Sequence, residues 1–261
     1  MKILKKTAIW IIIVIYLLLA VAFISNRYED QFCNSIVVSI EDSQKTGFLI
    51  RDDILKLLET NEIKYLGKPL YKIDLDSIEK TVKTNQIIHS CKAYTGVNGI
   101  LHIDISQRTP FVRIIEQNGK GYYLDKEGNV LNLSTRYSPL VVVVNGFIQS
   151  SIRVGQPVNV LNLPDSNRNI KLKEIYKLTS YIHNNQLWNS QFLQIYVNKS
   201  GEYELVPRVG PHIIILGSID DYREKFDKLE MFYKEGLNHI GWNQYVKINL
   251  KYKDQVVCTK I

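Results

Sequence analysis

The sequence predicts an α+β protein with a single N-terminal transmembrane helix, a compact βααββ module, and a mostly antiparallel β domain that contains two helices. Three observations predict it: an uncharged apolar run, two amphipathic helical patterns among short strands, and repeated period-two segments in the second half. The expected boundaries are 1–6 for a cytoplasmic tail, 7–24 for the span, 33–109 for the module and 110–261 for the β domain.

The predicted span runs from Thr7 to Ile24 and contains no charged residue. As a helix it would rise about 27 Å, close to the ~30 Å hydrocarbon thickness of a bilayer. Lysines at positions 2, 5 and 6 precede it, which predicts a cytoplasmic N-terminus and a periplasmic bulk of the chain. A cleaved secretory signal is the alternative, because the triplet Ala20-Val21-Ala22 also fits a cleavage site.

The predicted module begins with a strand at Ile36 to Ile40, followed by an amphipathic helix over Arg51 to Thr60. Asp74 is the expected N-cap of a second helix, in which Leu75, Ile78 and Val82 share one face. Two helices between short strands predict a small sheet that is covered on one side.

Two period-two segments close the module. They cover Ser90 to Tyr94 and Leu101 to Ile105, and the Asn98-Gly99 pair between them is a hairpin signal. A sheet of this size leaves strand edges open, which favours binding of a peptide by strand addition.

The β domain follows Pro110 and is interrupted by two predicted helices, Ile170 to Gln186 and Tyr222 to Gly236, with Gly236 expected as a C-cap. Turn residues separate the remaining apolar segments. The predicted strands are Phe111–Ile115, Gly121–Leu124, Val130–Leu133, Leu140–Val144, Phe192–Asn198, Tyr203–Arg208, His212–Leu216, Tyr245–Tyr252 and Val256–Lys260.

Composition argues against several functions. The net charge is +7, and from residue 110 onward nineteen basic residues face fourteen acidic ones, an excess too diffuse for nucleic acid but suited to an acidic protein partner. The five histidines are far apart, no nucleotide or nucleophile motif is present, and three cysteines form no disulfide framework. We therefore expect no metal site and no cofactor. The residues form no catalytic motif, and an enzyme that uses a Ser/Lys pair or paired carboxylates stays open, because such residues come together only in the fold.

Three stretches resemble a known family. The module ends in Gln107-Arg108-Thr109-Pro110, similar to an "E-R-x-P" motif with Gln in place of Glu, and the segment from Tyr122 to Leu131 is similar to "Y-x-x-D-x-x-G-x-V". The segment Ile248 to Tyr252 is similar to "I-D-L-R-Y", with Asn249 and Lys251 as departures. These motifs resemble those of the bacterial FtsQ family, called DivIB in Gram-positive bacteria, and the stretches are most similar to FtsQ sequences from Bacteroidota. The module resembles a POTRA domain.

The resemblance implies a non-enzymatic divisome scaffold, retained in the inner membrane by a single pass and working at the division septum. It implies FtsB and FtsL as partners, with FtsK as a further partner of the POTRA-like module. In the family, FtsB adds a strand to the terminal β strand. Carried over, the implied binding residues are Lys251, Tyr252, Val256, Val257, Cys258, Thr259 and Lys260.

Three alternatives stay open on the sequence. Tyr252 and Lys251 could be a half-buried core residue and a solvated charge, and a neighbouring strand could close the edge at Val256 to Lys260. The whole chain could also be another POTRA-containing component of envelope assembly or secretion. A peptidoglycan-acting envelope enzyme is the alternative from a different class.

Overall fold

The computed structural model describes residues 10–19, 31–41, 47–96 and 98–261. Residues 10–19 are helical. Within the described residues, no helix is long and apolar enough to cross a membrane. The predicted transmembrane helix is therefore wrong on this finding; residues 1–9 and 20–24 of the predicted tail and span lie outside the described ones.

The chain divides into two compact units, Met1–Gln107 and Arg108–Ile261. The first unit holds a three-stranded sheet in which β3 is central: β1 pairs with it in parallel and β2 pairs with it antiparallel. The strands are β1 (Ser35–Ile40), β2 (Ile88–Thr95) and β3 (Ile100–Gln107).

Two helices, α1 (Arg51–Thr60) and α2 (Leu75–Val82), lie between β1 and β2 in sequence. The predicted cap is confirmed, because the Asp74 carboxylate accepts a hydrogen bond from the Ser77 N–H at 2.9 Å. Buried residues of both helices form one core with alternate residues of β3, so the helices cover one face of this sheet. These core residues are Ile54, Leu58, Ile78, Val82, Leu101, Ile103 and Ile105.

The second unit is built on one nine-stranded sheet with the order β12-β11-β10-β9-β8-β7-β4-β5-β6. Of its eight neighbouring pairs, β4–β7, β7–β8 and β10–β11 are parallel and the other five are antiparallel. The strands are β4 (Pro110–Ile115), β5 (Gly121–Asp125), β6 (Val130–Leu131), β7 (Val142–Gly146), β8 (Phe192–Val197), β9 (Tyr203–Pro207), β10 (Ile213–Gly217), β11 (Tyr245–Asn249) and β12 (Val257–Lys260).

The helices of this unit are α3 (Asn167–Asn184), the short α4 (Gln186–Gln191) and α5 (Tyr222–Met231). Their apolar side chains join alternate strand residues in one core, centred on large side chains that are fully buried. Trp188 is 1% exposed and packs against Phe192 and Phe226 at ring-centroid distances of 5.7 and 5.1 Å.

The helix α5 does not end at Gly236 as predicted. It continues through a π-helical turn, Phe232–Leu237, and a short helix, Asn238–Ile240, and the left-handed residue that follows is Gly241 with φ 103°. Gly236 is needed for a different reason: a Cβ there would stand 2.9 Å from the Phe232 ring. The glycine makes room for an aromatic side chain instead of ending the helix.

Candidate partner-binding edge

The strand β12 is the outermost strand on one side of the nine-stranded sheet. It pairs antiparallel with β11, matching Val257 with Asn249 and Thr259 with Lys247. Within the described residues no strand pairs with its other side. We call this side the open edge, formed by Val257–Lys260.

The register identifies which backbone groups face outward. The Leu250 N–H donates to the Ile215 carbonyl of β10, so alternate residues of β11 bond to β10 and the residues between them bond to β12. The N–H groups of Val257 and Thr259 therefore point to β11, as does that of Ile261, which donates to the Gln244 carbonyl at 3.3 Å. The N–H groups of Cys258 and Lys260 consequently point outward from the sheet.

The side chains near the open edge differ in exposure. Val256 and Cys258 are partly buried and pack against the core, and burial raises the pKa of the Cys258 thiol. Val257 is 41% exposed, and Thr259 and Lys260 are exposed. The edge thus combines available backbone groups with an exposed apolar side chain and a cation.

Tyr252 and Lys251 lie in the turn between β11 and β12. The Tyr252 side chain is 48% exposed. The Lys251 ammonium is 2.5 Å from the Glu202 carboxylate, a hydrogen bond that lowers the pKa of that carboxyl. To reach Glu202 the lysine stem crosses Gly217, where a Cβ would meet it at 2.7 Å. Lys251 therefore points away from the open edge and is already paired.

A lysine that the sequence did not single out holds this turn. The Lys228 ammonium, on α5, donates to the carbonyls of Leu250 at 3.3 Å and Lys253 at 2.9 Å, and also to that of Tyr252. Helical spacing alone gave no sign of this contact, because it depends on where the sheet sets the turn. Lys228 fixes the backbone that leads into β12.

The opposite side of the same sheet is closed. The two residues of β6 are buried, and the Val130 N–H donates to the Val158 carbonyl at 2.9 Å. The Val160 N–H donates to the Gly128 carbonyl at 2.8 Å, and Asn129 bridges to Asn159. A loop thus lies along the outer side of β6 and bonds its outward Val130 N–H, and we call this side the closed edge.

The two most specific motifs meet beside the closed edge. The Arg108 guanidinium is 2.8 Å from the Asp125 carboxylate, which also accepts from the N–H groups of Glu127 and Asn129 at 3.0 and 2.7 Å. Asp125 is 1% exposed, and Gly128 has φ 84°. These motif residues form a buried polar turn, so their role here is structural.

In the described part of the chain, no group of three or more His, Cys, Asp or Glu residues could hold a metal ion. Cys33 and Cys91 are buried free thiols and Cys258 is partly buried and free.

Comparison with protein families decides the identity. Residues 109–259 match the family model described as FtsQ/DivIB, C-terminal related. The chain belongs to the FtsQ/DivIB family. Residues 31–106 match a POTRA-like domain. No curated protein matches the chain.

Family membership assigns the chain to bacterial cell division and to protein–protein interactions of the division machinery at the septum. The FtsQ/DivIB match covers the unit that carries the open edge, including β12 up to Thr259. The family resemblance expected from the motifs is confirmed.

Proposed function

We propose that this chain is a non-enzymatic scaffold of the division machinery that binds FtsB and FtsL, with FtsB adding a strand to the open edge. The open edge is the observation that carries the proposal. Strand addition needs a row of outward N–H and C=O groups, and the register of β12 supplies them at Cys258 and Lys260.

Side chains add specificity to such backbone pairing. Tyr252 in the turn and Val257 on β12 are exposed apolar side chains that a partner can contact. Lys260 is an exposed cation on β12. An acidic partner also suits the excess of nineteen basic over fourteen acidic residues from residue 110 onward. Lys251 can bind a partner carboxylate only if its ion pair with Glu202 breaks. We therefore expect Lys251 to contribute less to the binding free energy than Lys260.

The contrast with the closed edge supports the choice of β12 over β6. A partner strand at β6 would have to displace the loop that accepts from Val130 and donates to Gly128. A partner strand at β12 displaces no other strand of the part of the chain that the structure describes. Binding by FtsK to the POTRA-like unit stays a prediction without assigned residues.

A proline substitution tests the edge directly. Cys258→Pro removes an outward N–H while leaving the inward bonds of Val257 and Thr259 in place, and proline is tolerated at such positions of edge strands. Cys258→Ala removes the side chain but keeps the N–H, and it is the matched control. The measurement is capture of FtsB and FtsL of the same organism by the full-length chain.

We expect the unmodified chain and Cys258→Ala to capture both partners, and Cys258→Pro to weaken capture at least about tenfold, the effect of losing roughly 1.4 kcal/mol. Equal capture by Cys258→Pro would rule out the open edge as the binding site. Failure of the unmodified chain to capture either partner would contradict the scaffold proposal itself.

A further inference from the structure

A second surface of the β unit has features of a binding site. A groove of 680 Å³ runs along α3 and the first turn of α5, and none of its lining residues belongs to β11 or β12. Three cations line it, Lys173, Lys177 and Arg223, and no carboxylate does so among the described residues. The groove is therefore separate from the open edge and positively charged.

Two of the cations have no anionic partner. Lys173 is bound to Asp165 at 2.7 Å, but no ion pair joins Lys177 or Arg223 to a carboxylate within the described ranges. Lys177 and Arg223 also line an adjoining groove, together with Asp220, Asp221 and Glu224, but neither cation forms an ion pair with these carboxylates. Both cations can therefore bind a ligand carboxylate.

The protein holds both cations against one aromatic ring. The Lys177 ammonium lies 5.3 Å from the centroid of the Tyr222 ring, and the Arg223 guanidinium lies 5.9 Å from the same centroid. The Arg223 Nε also donates to the Tyr222 hydroxyl at 3.3 Å. Because Tyr222 is only 7% exposed, this ring is a fixed base that orients two otherwise mobile side chains.

We infer that this groove binds an acidic peptide segment of a protein partner. Arg223 can receive a carboxylate in a bidentate manner, and Lys177 can receive a second one. Asn184, exposed at one end of the groove, can hydrogen-bond a peptide backbone.

An acidic glycan fits the groove less well. Sugar rings bind by stacking on a free aromatic face, and the faces here are occupied or buried. Tyr222 carries the two cations, and Tyr181 meets Tyr222 edge-on, with 85° between the ring planes and 5.1 Å between the centroids. Tyr176 packs edge-on against Phe111 at 5.9 Å.

The test uses the full-length chain and fluorescein-labelled deca-glutamate, followed by fluorescence anisotropy at low ionic strength. The site variant is Lys177→Gln with Arg223→Gln. The matched control is Lys199→Gln with Arg208→Gln, which removes the same charge from two exposed positions outside the groove. The Lys199 ammonium also lies near an aromatic ring, 5.6 Å from the centroid of Phe147, so the control also removes a contact between a cation and a ring. Thermal melting checks that both variants are folded.

We expect saturable binding that the site variant weakens about tenfold and the control variant leaves within about twofold, since two partly oriented ion pairs are lost together. Absent saturable binding, or equal weakening by both variants, overturns the site. Tighter binding of deca-galacturonate than of deca-glutamate overturns the peptide assignment in favour of a carboxylated glycan. Because the assay contains no FtsB or FtsL, its outcome is independent of the open edge.

Discussion

The closed and open edges of the same nine-stranded sheet are treated in opposite ways. At β6 two buried residues lie beside a loop whose Val158 carbonyl accepts from the outward Val130 N–H. At β12 four residues are left uncovered within the described chain, and three of them are exposed. Uncovered strand edges promote aggregation, and proteins ordinarily cover them. The closed edge is covered in this way, whereas the open edge is not. The difference supports the proposal that the open edge binds a partner strand.

The largest effect on this comparison is expected at Asp125, beside the closed edge. Asp125→Ala leaves Arg108, which is only 21% exposed, with only the exposed Glu127 carboxylate at 3.5 Å, and it frees two backbone donors. We expect a loss of about 3 kcal/mol in the free energy of unfolding. Urea unfolding followed by tryptophan fluorescence measures it.

Capture of FtsB and FtsL by the folded Asp125→Ala fraction should be unchanged, because the open edge lies at the other side of the sheet. Lost capture without lost stability would contradict the division of roles between the two edges.

Asn159 tests the cover of the closed edge more gently. Its amide donates to the Glu127 carbonyl at 2.8 Å and accepts from the Leu161 N–H at 2.9 Å. Asn159→Ala should lower stability by about 1 kcal/mol and speed hydrogen exchange at the Val130 amide. Asn184→Ala, an exposed helical position, is the control, and unchanged exchange at Val130 would show that Asn159 does not hold the cover.

A pH profile tests the strands that support the open edge. His212 precedes β10, is 1% exposed, and has its Nε2 3.4 Å from the Tyr233 hydroxyl. Burial lowers its pKa, so the unfolded chain takes up the proton first. Stability is therefore full above about pH 6.5 and falls as the pH drops below that value.

His212→Phe should flatten that fall, measured by urea unfolding between neutral and mildly acidic pH. The exposed His89→Asn should leave it unchanged. His183, whose pKa burial also lowers, contributes equally to all three proteins. Parallel curves for His212→Phe and the unmodified chain would exclude His212 as a source of the pH dependence.

The smallest effect is expected at Lys251. Its pair with Glu202 is partly exposed, so Lys251→Ala should lower stability by only about 0.5 kcal/mol. The pair lowers the pKa of the Glu202 carboxyl, so the difference is present at neutral pH and is lost as the carboxyl becomes protonated in acid. Lys253→Ala, which retains its backbone bond to Lys228, is the control; an equal loss there would show that the pair adds nothing.

Local sequence patterns predicted most helices and strands, but not which strands pair with each other in the sheet. The bounds of α1 and the cap at Asp74 follow from side chains within a few residues, and nearly every predicted strand is present within one or two residues of its expected ends. The parallel pairing of β4, β7 and β8 could not be predicted, because it depends on crossovers and not on periodicity.

The candidate site shows the same limit. A terminal strand was expected from Val256 to Lys260, and the structure has it from Val257. Three contacts of the site depend on which strands are neighbours and so could not be predicted from local patterns. They are the ion pair of Lys251 with Glu202, the ion pair of Arg108 with Asp125, and the hydrogen bonds of Lys228 to the turn before β12. The predicted membrane span was wrong, since no described helix is long and apolar enough to cross a membrane. The predicted C-cap at Gly236 was wrong because local composition does not predict the π-helical turn at Phe232–Leu237.

The grip of Lys228 on the carbonyls of Leu250, Tyr252 and Lys253 has a kinetic consequence. A hairpin turn without such contacts samples many conformations. A partner then binds only when the turn is in the binding-competent conformation, or it must order the turn as it binds. Here Lys228 already fixes the turn, so on the proposed function β12 accepts a partner strand without first rearranging. Breaking this grip should slow association while leaving the final complex unchanged in geometry.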